Sequence, residues 1–211
     1  MNLADLRRDY ARAALDETSV SRDPLRQFLT WLDEAGKALV HEPNAMALAT
    51  STAAGAPSVR MVLLKGADER GLVFFCDRRS RKAAELAANP EAALVFWWSE
   101  LERQVRITGP VGTIGDQESD AYFRTRPEGS RLSAWASHQS QVIADRATLD
   151  GQWQAVEQRF RGGDIPRPPH WGGFRLVPRE FEFWQGRPNR LHDRMRYRSV
   201  GSEWILERLS P

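Results

Sequence analysis

The sequence predicts an α+β fold in which helices decorate an antiparallel β-barrel. Short segments with the alternation of strands follow one another at hairpin spacing, and helical segments are inserted between only some of them. A parallel sheet would need a helix after nearly every strand, so the strands are expected to pair antiparallel. The length of 211 residues, without an internal repeat or a long linker, predicts a single domain over residues 1–211.

The first two predicted elements are helices. The segment from Leu3 to Leu15 has the pattern of a short polar helix, and a loop follows it. A second helix should begin at Pro24 with Asp23 as its N-cap, because proline suits the first helical position and a carboxylate accepts the free N–H groups. The face expected to pack on the core carries apolar residues at helical spacing: Leu25, Phe28, Leu29, Leu32, Ala35 and Leu39.

From residue 45 onward the pattern changes to strands. Strands are predicted over residues 45–51, 59–65, 72–76, 92–98, 102–108, 173–177, 180–185, 191–198 and 203–209. Helices are predicted over residues 81–88, from an N-cap at Asp116 to the stop at Pro127, and from about 144 to 160. A tight turn is expected at residues 68–71.

Composition excludes several classes of protein. The net charge of +2 is too small for a nucleic-acid-binding surface, although the isoelectric point is near 9.0. The longest apolar run, residues 92–98, is far shorter than the ~20 residues that span a bilayer. The single cysteine, Cys76, cannot form an internal disulfide, so the cytoplasm is the expected compartment.

Basic residues cluster at the start of the helix predicted over residues 81–88. Arg81 and Lys82 occupy its first turn, after Ser80 in the N-cap position. The positive end of the helix dipole disfavours each cation there by about 0.3–1 kcal/mol, so a bound anion would offset the arrangement. The free N–H groups of such a helix start suit a phosphate. The alternative is a solvated basic turn.

Two further groups are candidates for binding a phosphate. Arg60 and Lys65 have opposite parity along a strand, so both reach one ligand only where the strand ends or bulges, and solvent exposure is the alternative. Tyr122 and Arg126 share a helical face at spacing i, i+4, with Ser130 just beyond. The alternative for this group is a core tyrosine beside an unrelated surface arginine.

The segment Arg190–Arg194 is the most informative. In a strand, Arg190, His192 and Arg194 would share one face, near Trp184, and would suit an electron-rich ligand; a charged edge strand is the alternative. The sequence has no metal-ligand spacing, no Gly-rich dinucleotide loop, no phosphate loop and no nucleophile elbow. Redox chemistry without these motifs indicates a flavin or another tightly held organic cofactor.

Taken together, these stretches resemble the FMN-dependent pyridoxine/pyridoxamine 5′-phosphate oxidase family, which has an antiparallel split β-barrel fold of the FMN-binding type. The resemblance runs nearly end to end. Its motifs, in chain order, are Arg7-Arg8-Asp9-Tyr10, residues 60–66, Ser80-Arg81-Lys82, Glu102-Arg103-Gln104-Val105, Tyr122 with Arg126 and Ser130, Gln139-Ser140, residues 171–174, residues 183–186 and residues 190–194.

The resemblance implies a role for individual residues. FMN would be bound by Arg60, Met61, Val62, Leu63, Leu64, Lys65, Phe75, Cys76, Arg81, Lys82, Gln104, Gln139, Ser140, Trp184 and Arg194. The substrate phosphate would be bound by Lys65, Tyr122, Arg126 and Ser130. The substrate ring would contact Arg190, Leu191 and His192, of which Arg190 and His192 would be catalytic. A lid would be formed by Arg7, Arg8, Asp9 and Tyr10, within a partly mobile segment over residues 1–22.

The implied activity is oxidation of pyridoxamine 5′-phosphate and pyridoxine 5′-phosphate at C4′ to pyridoxal 5′-phosphate, with O₂ as acceptor and H₂O₂ as product. The implied assembly is a homodimer whose subunits share each FMN site, without metal, nucleic acid or membrane. Two alternatives are a related split-barrel oxidase acting on another ring, as in phenazine biosynthesis, and a non-catalytic carrier of flavin or pyridoxal phosphate.

Three positions depart from the pattern of the family. Phe75-Cys76 stands where a Tyr-Thr pair is common, and each lost neutral hydrogen bond costs about 0.5–1.5 kcal/mol, so FMN affinity is expected to be weaker. Asp9 replaces the usual Glu of the lid and has a shorter reach. The stretch Arg187-Pro188-Asn189 is also unusual.

Overall fold

The computed structural model describes Leu3 and residues 9–211. Five α-helices and ten strands make up the regular structure of this part of the chain. The helices are α1 (Pro24–Lys37), α2 (Arg81–Ala88), α3 (Asp116–Arg124), α4 (Glu128–Ala136) and α5 (Arg146–Phe160). The strands are β1 (Ala45–Ser51), β2 (Pro57–Leu63), β3 (Gly66–Asp68), β4 (Gly71–Asp77), β5 (Glu91–Trp98), β6 (Arg103–Thr113), β7 (Trp171–Leu176), β8 (Glu180–Gln185), β9 (Asp193–Val200) and β10 (Glu203–Arg208).

The long strand β6 connects the two parts of the sheet. Its first residues pair with β5 and β8, in the strand order β10-β9-β8-β6-β5-β1-β2, whereas Val111–Thr113 pair with β7. Strand β7 pairs in turn with β4, and β4 with β3. Every strand pair is antiparallel, and the sheet curls on itself because β6 pairs in both of its parts. The expected antiparallel split barrel with helices is therefore confirmed.

Helix α1 packs on the core of the curled sheet through the face that the sequence predicts. Phe28 lies 5.0 Å from Phe96 between ring centroids, and Trp31 meets Phe183 edge to face at 5.2 Å. Leu29 is partly exposed, and Leu39 lies beyond the helix end at a positive φ of 57°. The predicted face therefore holds at its centre and is wrong at these two residues, where the helix turns away from the core or has ended.

Residues 9–15 are not helical, which corrects the helix predicted over Leu3–Leu15; residues 4–8 of that prediction lie outside the described part. The backbone N–H groups of this segment donate to distant side chains instead of to helical carbonyls. Ala11 N and Arg12 N both donate to Glu102 Oε2 at 3.1 Å, and Leu15 N donates to Asp193 Oδ2 at 3.0 Å. Tertiary hydrogen bonds thus override the local helical preference.

The strand predicted from Leu191 begins only at Asp193. Pro188, Asn189 and Arg190 form a 3₁₀ turn, in which Asn189 and Arg190 have φ of 57° and 61°. Proline has no N–H to donate to a ladder, and these two left-handed residues reverse the chain before the strand begins. Arg190 and His192 therefore do not share a strand face with Arg194, and the parity argument for that group is wrong.

Four further elements differ from the predictions. Helix α4 is not predicted, because Pro127 reads as a stop; helix α3 already ends at Arg124, and Pro127 is the N-cap of α4. Asp116 is the first residue of α3, and Gly115 is its N-cap. Arg126 lies beyond the end of α3, so the prediction that Tyr122 and Arg126 share a helical face is wrong. The expected turn at residues 68–71 is preceded by the short strand Gly66–Asp68, and β6 runs on past Thr108 to Thr113.

Among the described residues, no helix combines the length and the apolar character needed to cross a membrane.

The N-cap of α1 provides a test of the local folding argument. Asp23 accepts hydrogen bonds from Leu25 N at 2.9 Å and from Arg26 N at 3.4 Å. We expect Asp23→Ala to lower the free energy of unfolding by about 0.5–2 kcal/mol, the usual contribution of a capping side chain. Asp33→Ala, on the exposed side of the same helix, should change it by less than about 0.5 kcal/mol. Equal effects in urea unfolding would contradict the capping role.

Candidate active site

A cleft of about 840 Å³ lies beside the edge strand β2. Strand β4, the start of α2, helices α3 and α4 and the loop after α4 contribute its other walls. The residues that line it are Ser58, Val59, Arg60, Met61, Val62, Leu63, Lys65, Phe75, Cys76, Asp77, Arg81, Lys82, Tyr122, Arg126, Ser133, Ala134, Ser137, Gln139, Ser140 and Trp171. Three separately predicted groups of cations thus meet in one cavity.

Helix α2 begins at this cleft, as predicted. Its first turn carries Arg81, which is exposed, and Lys82, which is buried and donates from Nζ to Gln139 Oε1 at 2.7 Å. Burial lowers the pKa of Lys82. Ser80 is the N-cap by position but makes no side-chain capping hydrogen bond, so the free N–H groups of the first turn stay available to an anion.

Arg60 and Lys65 line the same cleft despite their opposite parity. Strand β2 ends at Leu63, so Lys65 lies in the turn to β3 and is not bound by the alternation of the strand. Leu64, between them, is buried in the core, and its N–H donates to Asn44 O at 2.9 Å. The end of the strand therefore removes the parity problem that the sequence raised.

A stack of three aromatic rings forms another wall of the cleft. The Phe75 ring lies 4.0 Å from Tyr122 and 5.2 Å from Trp171, with all three rings nearly parallel. The Arg126 guanidinium lies over Trp171 at 4.6 Å. Phenylalanine at position 75, one of the departures from the family pattern, fits this stack because its unsubstituted ring packs face to face with Tyr122.

Arg126 carries an unsatisfied donor. Its Nη1 is buried and has no hydrogen-bond partner within the described part of the chain. Burial lowers the pKa of this guanidinium. A buried N–H donor without a partner costs about 1–3 kcal/mol, and a ligand in the cleft that accepts this hydrogen bond would recover the cost.

Helix α4 contributes serines that sequence reasoning missed. Ser133 and Ser137 line the cleft, whereas Ser130, the predicted phosphate ligand, lies on the same face but outside the lining residues. The spacing of 130, 133 and 137 would have identified one helical face, had the helix itself been predicted. Trp171, Asp77 and Ser58 were likewise not predicted as site residues.

A second cluster lies elsewhere on the sheet. Trp184 on β8 packs on His192, with ring centroids 4.6 Å apart, and Tyr10 lies 5.6 Å from Trp184 and 5.7 Å from His192. Gln104 on β6 is the register partner of Trp184, and the ring centroids of Trp97 and Trp184 lie 5.9 Å apart. The predicted lid residue Tyr10 therefore covers two of the other predicted site residues; Arg7 and Arg8 lie outside the described part, and Asp9 is exposed.

The tautomer of His192 follows from its hydrogen bond. Arg187 N donates to His192 Nδ1 at 3.1 Å, which assigns the ring proton of the neutral form to Nε2. Burial and the nearby charge of Arg190 lower the pKa of His192 below its usual 6.5, so the ring is neutral at pH 7. Arg190 and Leu191 beside it are exposed.

Arg194 is bound within the chain. Its Nη2 and Nε each lie 2.8 Å from Glu182 Oε1, and Nη1 donates to Ser210 O at 2.9 Å. Glu182 is buried, so this arginine neutralises a carboxylate of the sheet. Arg194, unlike Arg126, has its hydrogen-bonding capacity largely used.

The cleft and the second cluster do not meet within one chain. None of Gln104, Trp184, His192 and Arg194 lines the cleft. In the strand order, β8 and β2 are four strand-to-strand spacings apart, which is about 19 Å measured along the sheet at roughly 4.8 Å per spacing. Among the described residues, no three His, Cys, Asp or Glu side chains are grouped so as to hold a metal ion.

Comparison with known proteins identifies the family of the chain. The family model described as pyridoxamine 5′-phosphate oxidase matches residues 32–160, and the pyridoxine 5′-phosphate oxidase C-terminal dimerisation region matches residues 171–211. The chain is 58% identical to a pyridoxine/pyridoxamine 5′-phosphate oxidase of Acaryochloris marina, over 100% of this chain and 96% of that protein. It is 57% identical to the protein of that name from Burkholderia lata, over 99% of each chain.

Solved structures show the same fold. The PhzG protein of Burkholderia lata, in complex with tetrahydrophenazine-1-carboxylic acid, has a TM-score of 0.90 at 33% identity, over 95% of this chain and 99% of that one. A pyridoxamine 5′-phosphate oxidase-related, FMN-binding protein of Nostoc punctiforme has a TM-score of 0.72 at 20% identity, over 91% and 100%. The fold defines a protein of the split-barrel class. With two family models matched over most of its length, the chain belongs to the pyridoxamine 5′-phosphate oxidase family.

The unsatisfied donor of Arg126 has a consequence for stability. Arg126→Met removes it, so we expect the free energy of unfolding of the ligand-free protein to stay within about 1 kcal/mol of wild type or to rise. Arg167→Met is the control: Arg167 is nearly buried and donates to Asp120 and to Trp171 O, each at 2.6 Å, and losing hydrogen bonds to or from a charged group costs about 1.5–3 kcal/mol. Equal losses for the two variants in denaturant unfolding would contradict a ligand-binding role for Arg126.

Proposed function

We propose that the protein uses FMN to oxidise pyridoxamine 5′-phosphate and pyridoxine 5′-phosphate to pyridoxal 5′-phosphate, with O₂ as acceptor and H₂O₂ as product. The observation that carries the proposal is the convergence of cations on one cleft, where Arg126 keeps a buried donor that has no partner among the described residues. Such a site suits ligands with phosphate groups. FMN and the substrate each supply one.

The residues of the cleft fit FMN. Its volume is in the range of pockets that bind cofactors. The start of α2, with Arg81 and Lys82, suits the terminal phosphate monoester of FMN. Of the other proposed FMN contacts, the lining residues are Arg60, Met61, Val62, Leu63, Lys65, Phe75, Cys76, Gln139 and Ser140. Leu64, Gln104, Trp184 and Arg194 remain proposed contacts outside the cleft of a single chain.

The substrate phosphate fits the part of the cleft beside the aromatic stack. Lys65, Tyr122 and Arg126 line it together, and we assign to Arg126 Nη1 the role of a donor to a phosphate oxygen. Ser130 lies one turn nearer the start of α4 than the lining serine Ser133 and would complete the group. Anchoring the phosphate at one end fixes where the substrate ring and its C4′ substituent lie.

Bound FMN would supply the redox chemistry, accepting a hydride equivalent from C4′ and passing the electrons to O₂. The chain's own residues bind and orient. Neutral His192 presents Nε2–H as a donor, because Arg187 N occupies Nδ1. Arg190 would contribute a positive charge beside the substrate ring, and the segment from Asp9 to Tyr10, with Arg7 and Arg8 before it, would cover the ring as a lid.

A homodimer would bring the two clusters together. The match to a dimerisation region covers residues 171–211, which include Trp184, His192 and Arg194. We infer that the second chain brings these residues to the cleft of the first, so that each FMN lies between two subunits. The single cysteine, buried Cys76, is consistent with the cytoplasm as the compartment.

The two alternatives predict different behaviour. A phenazine-type oxidase is supported by the high TM-score of the PhzG structure, but its identity of 33% is well below the 58% shared with a pyridoxine/pyridoxamine 5′-phosphate oxidase. Such an enzyme would not need the substrate phosphate group around Arg126. A non-catalytic carrier would bind FMN but would not need Arg190 and His192.

The test is to load the protein with FMN, add pyridoxamine 5′-phosphate in air and measure aldehyde and peroxide. We expect both in equal amounts, and a fall in kcat/KM of about 10- to 1000-fold for Arg190→Leu and for His192→Asn, with FMN retained, because an orienting group is lost near the reacting centre. Arg198→Leu, an exposed arginine on β9, is the control and should leave the rate unchanged.

Three outcomes would overturn the proposal in different ways. A protein that does not bind FMN would refute the cofactor. A yellow protein that forms no aldehyde would favour the carrier. Wild-type turnover in both the Arg190 and His192 variants would refute the catalytic role of those residues.

A further inference from the structure

A buried carboxylate connects two of the cations beside the cleft. Glu85, on α2, is one of the few buried charged residues of the chain. Its Oε1 accepts a hydrogen bond from Arg81 Nε at 2.8 Å, and its Oε2 accepts from Thr50 Oγ1 and Ser58 Oγ, each at 2.5 Å. Both oxygens are therefore used, on opposite sides of the carboxylate.

The same oxygen Oε2 also holds Arg60. Arg60 Nη2 lies 3.3 Å from it, and Arg60 Nη1 donates to Thr50 Oγ1 at 2.6 Å and to Leu48 O at 3.1 Å. Arg60 Nη2 donates to Ser58 Oγ as well. One edge strand, its neighbour and the start of a helix are thereby joined through a single carboxylate.

The contacts of Arg81 leave its outer nitrogens available. Only Nε is engaged by Glu85, and within the described part of the chain neither Nη1 nor Nη2 of Arg81 has a hydrogen-bond partner. The side chain is 65% exposed, so without Glu85 it would sample many rotamers. Holding Nε fixes the plane of the guanidinium and leaves two N–H₂ groups for a ligand.

Glu85 is charged at every physiological pH. Hydrogen bonds from Ser58 and Thr50, with a smaller contribution from Arg81, lower its pKa to about 2. A depressed pKa means that its contribution to stability is present above about pH 4.5 and is lost as the pH falls toward 2.

We propose that Glu85 is a positioning residue for phosphate binding, which holds Arg81 in the orientation that receives the phosphate of FMN and fixes Arg60 beside it. The inference rests on the proposed FMN function and adds to it a residue that contacts no ligand itself. Glutamine at this position has one acceptor oxygen, so it cannot hold Arg81 on one side and Arg60 on the other.

The sign of the effect separates positioning from plain electrostatics. A carboxylate near a phosphate repels it, so removing the charge of Glu85 would strengthen FMN binding if the residue were only a neighbouring charge. Positioning predicts the opposite, because Arg60 and Arg81 lose their fixed orientation. A general loss of structure would weaken every flavin, including one that has no phosphate.

The experiment is fluorescence titration of the apoprotein with FMN and with riboflavin, which lacks the phosphate. We expect Glu85→Gln to weaken FMN binding by roughly 10-fold or more and to change riboflavin binding by less than about 2-fold, because the lost interactions are charge-assisted hydrogen bonds to the phosphate. Asp150→Asn is the matched control, since Asp150 forms the same i, i+4 pair with an arginine Nε at 2.8 Å, on helix α5. It should change neither affinity.

A double-mutant cycle with Arg81→Ala completes the test. If Glu85 acts through Arg81, Glu85→Gln should weaken FMN binding less in the Arg81→Ala background than in wild type. Should Glu85→Gln fail to fold, Thr50→Val loosens the same carboxylate from a buried position outside the cleft and should weaken FMN binding selectively. Tighter or unchanged FMN binding, or equal losses for FMN and riboflavin, would overturn the positioning role. Wild-type protein that binds no FMN would instead refute the proposed function.

Discussion

The concentration of positive charge on one cleft is the constraint on which the site depends. Arg60, Lys65, Arg81, Lys82 and Arg126 all line it, and like charges repel at short range unless they are compensated. Glu85 compensates two of them, and the cleft carboxylate of Asp77 is already engaged by Arg79. Residues 9–211 therefore do not balance this charge by themselves, and two phosphate groups would.

The architecture explains how distant segments reach this cleft. Strand β2 is an edge strand, so one row of its backbone groups is accessible to a ligand. Strand β4 brings Phe75 beside it, and Tyr122 of helix α3 and Trp171 of β7 stack with Phe75 next to Arg126, which lies between α3 and α4. The stack gives an apolar wall to a cavity that is also lined by cations, which suits a flat aromatic ring that carries a phosphate.

The remaining candidate residues lie on the part of the sheet that matches a dimerisation region. Trp184 and His192 pack together under Tyr10, and the strap over residues 11–15 is held there by Glu102 and Asp193. The hydrogen bonds that hold this cluster do not involve residues of the cleft, so the cluster is ordered independently of the cleft. A second chain is the simplest way to join the two surfaces.

Much of the fold could be predicted from sequence because local signals were strong. Helix α2 and strand β1 have the predicted bounds, since helix-forming sequence and strand alternation both act within a few residues. Helix α4 and the turn at Asn189 could not be predicted, because one proline has two roles and positive φ at non-glycine residues is set by tertiary contacts. The same limit applies to the site: the cations were visible as clusters, whereas Glu85 was not, because its partners Thr50 and Ser58 are 35 and 27 positions away.

The central claim is that each active site combines the cleft of one chain with the Trp184–His192 cluster of another, and isolated heterodimers test it most directly. Subunits with Arg126→Met and subunits with His192→Asn, carrying different affinity tags, would be co-expressed and the mixed dimer purified. A shared site predicts one intact and one doubly defective site, and so about half of the wild-type activity per dimer. If both residues of a site came from one chain, each site would carry one defect, and mixed dimers as inactive as the two parent variants would contradict the account.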